Sequence, residues 1–277
     1  MKPRILNTAR LSFPLATAIA ALLGLFATPA AHAAARAWSG GSGDWETGQT
    51  GGFTTGPWAN SDTATFNVSG VGTVTVKSAI TTGGTFGLAF SAGNYTLQSD
   101  GATERVVTLG HGNVNLGNGV TTTIGSNVTL SRTSATALTF DGNSTATSTL
   151  NIDSGGKATN SGAAFTIKEA TANVNTGGSI VSDSSLVVGT TTDGATLNVL
   201  GGTVTVGIGN AGAMFALGNT ASLSPTVNFK ITGGSLGFTD AGDSLAHSLR
   251  VGPLTPGAGV VTAIIDLEGG VVTVRGV

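Results

Sequence analysis

A Gly-Gly pair set between alternating apolar and polar residues recurs along this chain, and it constrains the fold more than any other feature. Leu197 to Val206 reads LNVLGGTVTV. Period-two alternation runs into the pair and out of it again, the pattern of half-buried strands meeting at a turn. Weaker copies stand at Asn151 to Lys157 (NIDSGGK), Asn173 to Val181 (NVNTGGSIV), Phe229 to Phe238 (FKITGGSLGF) and Ile265 to Val274 (IDLEGGVVTV). The pairs begin at positions 155, 177, 201, 233 and 269, so their separations are 22, 24, 32 and 36 residues. A period in this range indicates a solenoid, a propeller or an array. The first two separations suit one coil of a parallel β-helix. The later two suit the same coil with insertions, in the Gly- and Pro-bearing segments Gly207 to Pro225 and Thr239 to Gly259.

Aligning the copies on their last apolar residue before the turn gives Ile152, Val174, Val199, Ile231 and Leu267. Directly before these stand Asn151, Asn173, Asn198, Lys230 and Asp266. In stacked coils like residues lie above one another. The apolar row then fills a core, and the Asn row can hydrogen-bond up and down the stack. The first two copies carry one more residue before Gly-Gly than the last three, so the corner is not uniform. The competing architecture is antiparallel, because Gly-Gly between alternating runs is also a hairpin signal, and hairpins build sandwiches or barrels.

Upstream, Thr73 to Lys77, Tyr95 to Gln98, Val106 to Leu109, Asn113 to Leu116, Thr121 to Ile124, Val128 to Leu130 and Ala137 to Phe140 each fit a short strand bounded by Gly, Asn, Asp or Ser. The Ala-rich piece Ala163 to Ala172 is short, uncapped and broken by β-branched residues, so no helix is expected there. Charged residues make up only 9% of the chain, with 44 Gly among 277 residues. That composition fits an all-β chain with many tight turns and differs from the high charge of disordered chains. The expected fold is all-β, a parallel β-helix with an aromatic N-terminal cap.

Residues 1–33 read as a secretory signal. Lys2, Arg4 and Arg10 precede an apolar run from Leu11 to Ala27, and Ala31-His32-Ala33 supplies a small-x-small cleavage site. Cleavage is expected after Ala33, with Ala35 as the second choice. The alternative, a membrane anchor, is disfavoured by the short run and its end in Pro29 and alanines. No later stretch reaches about 18 uninterrupted apolar residues, so no transmembrane segment is expected after cleavage. Three of the 12 basic residues leave with the signal; the nine that remain face 14 acidic ones, a net charge of −5. That balance excludes nucleic acid as a partner and disfavours an anionic membrane surface. Cysteine is absent, so stability outside the cell must come from strand pairing and packing.

Residues 34–70 form the expected cap region and 71–277 the solenoid repeats. Trp38, Trp45 and Trp58 all lie in the cap region. A solenoid end exposes bare core and unpaired strands, which aromatic residues can close. The alternative is a carbohydrate platform, in which flat rings stack on sugars.

Trp38-Ser-Gly-Gly-Ser-Gly-Asp-Trp45, then Trp58-Ala-Asn-Ser-Asp-Thr-Ala-Thr-Phe66, and then Gly72-Thr-Val-Thr-Val76 resemble the opening of autotransporter-associated β-strand repeat proteins. Tyr95-Thr-Leu97 and the later Gly-Gly strands fit the same pattern. The resemblance covers most of residues 36 to 277. It implies a β-helical, exported protein, secreted or held at the outer cell surface. Carbohydrate or cell-surface components are the expected partners. A C-terminal translocator barrel or sorting helix is not visible before Arg275-Gly276-Val277, a departure consistent with a fragment of a longer protein.

The search for chemistry finds no catalytic, cofactor-binding or metal-binding set. His111 and His247 each lack Cys or a second His nearby, and His111 in LGHGN reads as a turn residue. No nucleophile elbow appears. Gly40-Gly-Ser-Gly-Asp44 has one copy and the wrong spacing for a Ca²⁺-binding repeat. Asp266 and Glu268 lie two apart on one strand face, and Asp240 and Asp243 lie in an inserted loop with Arg250 beyond them. They read as solvated surface acids. The alternative is a carboxylate groove of the kind β-helical polysaccharide lyases and hydrolases use. The expected function is therefore a non-enzymatic structural or adhesive surface module, with a polysaccharide-binding or polysaccharide-degrading β-helix as the alternative.

Overall fold

The computed structural model describes residues 33–49, 51–54, 56–83, 87–143, 147–208, 213–220, 223–238, 248–253 and 259–273. Among them every strand ladder is parallel, and the chain winds into coils with three strand-bearing faces. This settles the choice between coil and hairpin in favour of the parallel β-helix. One isolated bridge, Trp38 to Phe53, is antiparallel.

Face one stacks Ala35–Ala37, Thr63–Phe66, Leu88–Phe90, Asn113–Leu116, Leu138–Gly142, Phe165–Lys168, Leu186–Val188, Met214–Leu217 and Ser248–Val251 in chain order. Face two runs from Gly43–Trp45 through Val71–Val76, Asn94–Ser99, Thr121–Ile124, Ser148–Ile152 and Ala170–Asn175. Face three runs from Ile80–Thr82 through Arg105–Leu109, Val128–Thr133, Lys157–Ser161 and Ser179–Ser182. Ala195–Val206 and then Thr226–Phe238 serve both of these faces, and Thr262–Leu267 and Val271–Thr273 close the stack.

The rows foreseen from the Gly-Gly alignment are the observed register. Asn151 pairs with Asn173, Asn173 with Asn198, Asn198 with Lys230, and Lys230 with Asp266. Asn173 Nδ2 donates to Asn151 Oδ1 at 2.9 Å, and Asn198 Nδ2 donates to Asn173 Oδ1 at 2.8 Å. Each amide thus satisfies its neighbour's acceptor one rung away. Ile152, Val174, Val199 and Ile231 point inward and are fully buried. The alternation places one row outside and the next inside, as a pleated strand must.

The Gly-Gly corner takes two forms. In the copies at 155 and 177 it is a hydrogen-bonded turn, with Gly156 N donating to Asp153 O and Gly178 N to Asn175 O, both at 2.8 Å. In Ala195–Val206 and Thr226–Phe238 the strand continues through the pair. The sequence reading of strand, turn, strand is therefore corrected for these two copies. The cause is the residue count: Ser179 lies five residues after Val174, whereas their partners Thr203 and Val199 are four apart, so the later coil is one residue shorter through the corner, and the register shifts where Asn175 faces both Leu200 and Gly201.

The corner between face three and the next face one has its own device. Arg132, Asn160 and Ser182 stack in register and are buried. Arg132 donates to Leu109 O at 2.8 Å, Asn160 to Ala164 O at 2.7 Å, and Ser182 to Ser185 O at 3.1 Å. Each buried polar group is thus satisfied by a corner carbonyl, and those of Ala164 and Ser185 also accept from Leu138 N and Phe165 N.

At the N-terminal end Trp38, Trp45 and Phe53 pack against Phe66, Trp58 packs on Trp45 and Phe53, and all are buried. The Trp45 and Trp58 rings meet edge to face at 5.1 Å, as do Trp38 and Phe53 at 5.0 Å. Such pairs add about 1 kcal/mol each beyond the area they bury. These rings form the expected aromatic cap. With exposures of 0–1%, the three tryptophans have no open face on which a sugar could stack. Ala35–Ala37, Gly43–Trp45 and Thr63–Phe66 already belong to the parallel ladders, so the cap closes the first coil from within.

Asp62 ties this end together. Its carboxylate accepts from Arg36 Nε at 2.7 Å, Ala34 N at 2.8 Å and Ala59 N at 3.0 Å, with a side chain 4% exposed. Burial alone would raise the carboxyl. The Arg36 hydrogen bond and the two backbone N–H groups outweigh it and hold the carboxyl below its ordinary value. A depressed folded value gives stability that is present above the unfolded value, about 3.9, and is lost as pH falls through the folded one. Asp62→Asn should cost about 3 kcal/mol at neutral pH by leaving Arg36 half-paired. It should also flatten the stability decline below about pH 4. Urea unfolding at a series of pH values measures both effects.

The C-terminal end differs. Among the described residues no strand pairs with the far side of Ser248–Val251, Thr262–Leu267 or Val271–Thr273. Val251, Ile264, Leu267 and Val271 are exposed there.

Candidate functional site

Where face one turns into face two, the outer surface forms a groove of about 410 Å³. Its wall follows from register. Ala89, Asn115, Asp141 and Lys168 occupy one outward row on four successive strands. The alternating burial of Asn113–Leu116 and Leu138–Gly142 turns Val114, Leu116 and Phe140 inward, and it leaves Asn113, Asn115 and Asp141 facing out. Ala89 sets a small side chain at the start of the row, which leaves room beside Asn115.

Lys168 Nζ lies 3.1 Å from Asp141 and 3.9 Å from Glu169 Oε2. Glu169 adopts a left-handed φ of 54°, where the chain turns from Phe165–Lys168 into Ala170–Asn175. The groove therefore offers amides, two carboxylates and one ammonium, with the ammonium between the acids. Such a set can accept from and donate to hydroxyl groups. Its excess of carboxylate does not favour an anion.

The acids singled out from the sequence lie elsewhere. Asp266 and Glu268 both bind Lys230, at 2.8 and 2.9 Å. Their hydrogen bonds, that of Asp266 foremost, raise the Lys230 ammonium above its ordinary value. This is a solvent-facing ion cluster at the end of the Asn ladder. Arg250 donates to Asn219 Oδ1 at 2.8 Å. Asp240, Asp243 and His247 lie outside the described residues. His111 sits in the corner between Arg105–Leu109 and Asn113–Leu116, its Nδ1 buried without a partner. Asp44 pairs with Lys77. Among the described residues no three His, Cys, Asp or Glu side chains converge to hold a metal ion, and no helix is long and apolar enough to cross a membrane.

Asp141, Lys168 and Glu169 escaped the sequence reading because the connection from the groove row to the Asn ladder changes length from coil to coil: Asn115 lies 8 residues before Thr123, Asp141 10 before Asn151 and Lys168 5 before Asn173. The ladder register carried upstream therefore does not align the groove residues. No family model, no curated protein and no solved structure matches this chain.

Proposed function

We propose that the chain is an exported, non-enzymatic module that serves as scaffold and adhesive contact at the outer cell surface. The observation that carries the reading is the groove row Ala89–Asn115–Asp141–Lys168. Its rungs follow one another at ~4.8 Å, comparable with the length of one pyranose unit, so a neutral saccharide chain can lie along the axis with one unit per rung. Outward Asn and Asp side chains supply the hydroxyl contacts. The ammonium of Lys168 between Asp141 and Glu169 makes this an ion-paired binding wall. The leader-like first 33 residues and the resemblance of the Trp38 to Val76 block support export.

The test uses beads coated with residues 34–277. They should adhere to surfaces bearing neutral hexose polymers and release no reducing ends from neutral or acidic polysaccharides. Ala89→Phe, which fills the groove from an outward position, should reduce adhesion at least tenfold while leaving the melting temperature unchanged. Reducing ends that appear with the parent chain and vanish with Asp141→Ala or Asp266→Ala would establish the polysaccharide-degrading alternative instead.

A further inference from the structure

The Asp62 carboxylate stands at a meaningful place relative to the expected processing site. Ala33 is exposed and Ala34 half-buried. The Ala34 nitrogen, the atom that cleavage after Ala33 would free, already donates to Asp62 Oδ1 at 2.8 Å. The other carboxylate oxygen is taken by Arg36 and Ala59. Ala34 O in turn accepts from Thr63 N at 2.9 Å, which fixes the residue from both sides. We infer that Asp62 is the binding site for the chain's own α-ammonium, created when the leader is removed.

The chemistry is a hydrolysis. Water adds across the Ala33–Ala34 peptide bond, Ala33 leaves with the new carboxylate, and Ala34 keeps the nitrogen, which takes up a proton. The atom does not need to move. A neutral peptide N–H facing Asp62 becomes an ammonium facing Asp62, and a charge-assisted bond of this kind is about twice as strong as its neutral counterpart. Processing thereby tightens the aromatic cap at the coil where Trp38 and Trp45 are held. The same geometry separates the two candidate cleavage positions. A cut after Ala35 would discard Ala34 and leave Asp62 Oδ1 without this donor.

The inference rests on the reading of residues 1–33 as a cleaved leader, and the experiment separates the two. N-terminal sequencing of the protein recovered outside an expressing bacterium should begin at Ala34. An uncleaved leader would overturn the export reading itself, whereas a cut at any other bond would overturn only the assignment to Asp62. Melting is then compared for chains beginning at Ala34, at His32 and at Arg36. The Ala34 chain should melt about 3 °C above the His32 chain, with the Arg36 chain lowest. Acetylating the Ala34 α-amino group should abolish the advantage, and so should Asp62→Asn. Equal melting of the Ala34 and His32 chains, or a difference that persists in Asp62→Asn, overturns the inference.

Discussion

Trp45→Ala should remove about 4 kcal/mol of stability, in the range of large aromatic truncations in a packed interior. Trp45 is fully buried and meets Phe53, Trp58 and Phe66. Its loss opens a cavity at the end of the core. Trp45→Phe should cost far less. The Trp45 indole N–H is buried with no acceptor among the described residues, so the smaller ring also removes an unsatisfied donor. Equilibrium urea unfolding of the three proteins measures the order. A Trp45→Ala cost below about 1 kcal/mol would mean that the cap contributes little to holding the first coil.

Gly178→Ala should be nearly as damaging, at about 3 kcal/mol. A methyl group on Gly178 would sit 2.1 Å from Ile152 O, a backbone atom of the coil before. The strand cannot retreat without breaking its ladder to the neighbouring coil. Gly156 stands in the same relation to Ile124 O, also at 2.1 Å, so the second glycine of these pairs is a steric requirement of stacking. Gly237→Ala is the matched control. A methyl there meets nothing within 4 Å, and the backbone is ordinary for any residue. It should be neutral or slightly stabilising through the unfolded state. A Gly178→Ala protein that melts with the parent would show that the coils are looser than their register implies.

The parts of the fold legible in the sequence are those that repeat. Asn151, Asn173 and Asn198 could be aligned because each precedes an apolar residue and a Gly-Gly pair, and stacking makes like follow like. The strands around Tyr95, Val114 and Ile124 were legible from alternation alone. Which face each would join was not, because strand alternation fixes inside against outside but says nothing about which corner turns the chain. The role of Asp62 is not legible from its motif, since its three donors come from Ala34, Arg36 and Ala59, and the nearness of the first two depends on one full coil of winding. The groove was hidden for the same reason. Asn115, Asp141 and Lys168 are far apart in sequence and become neighbours only once the coil length between them is known.

The tryptophan plug and the groove lie close along the stack, and this ties the shape of the groove to the plug. Coils in a solenoid depend on their immediate neighbours, so a disturbance passes from coil to coil. Phe66, on which the plug packs, stacks on Phe90 at 4.7 Å. Phe90 follows Ala89, where the groove row begins. Lys230, Asp266 and Glu268 lie several coils away. Opening of the plugged coil therefore reaches the groove directly, whereas opening among the later coils spends itself on the ion cluster first.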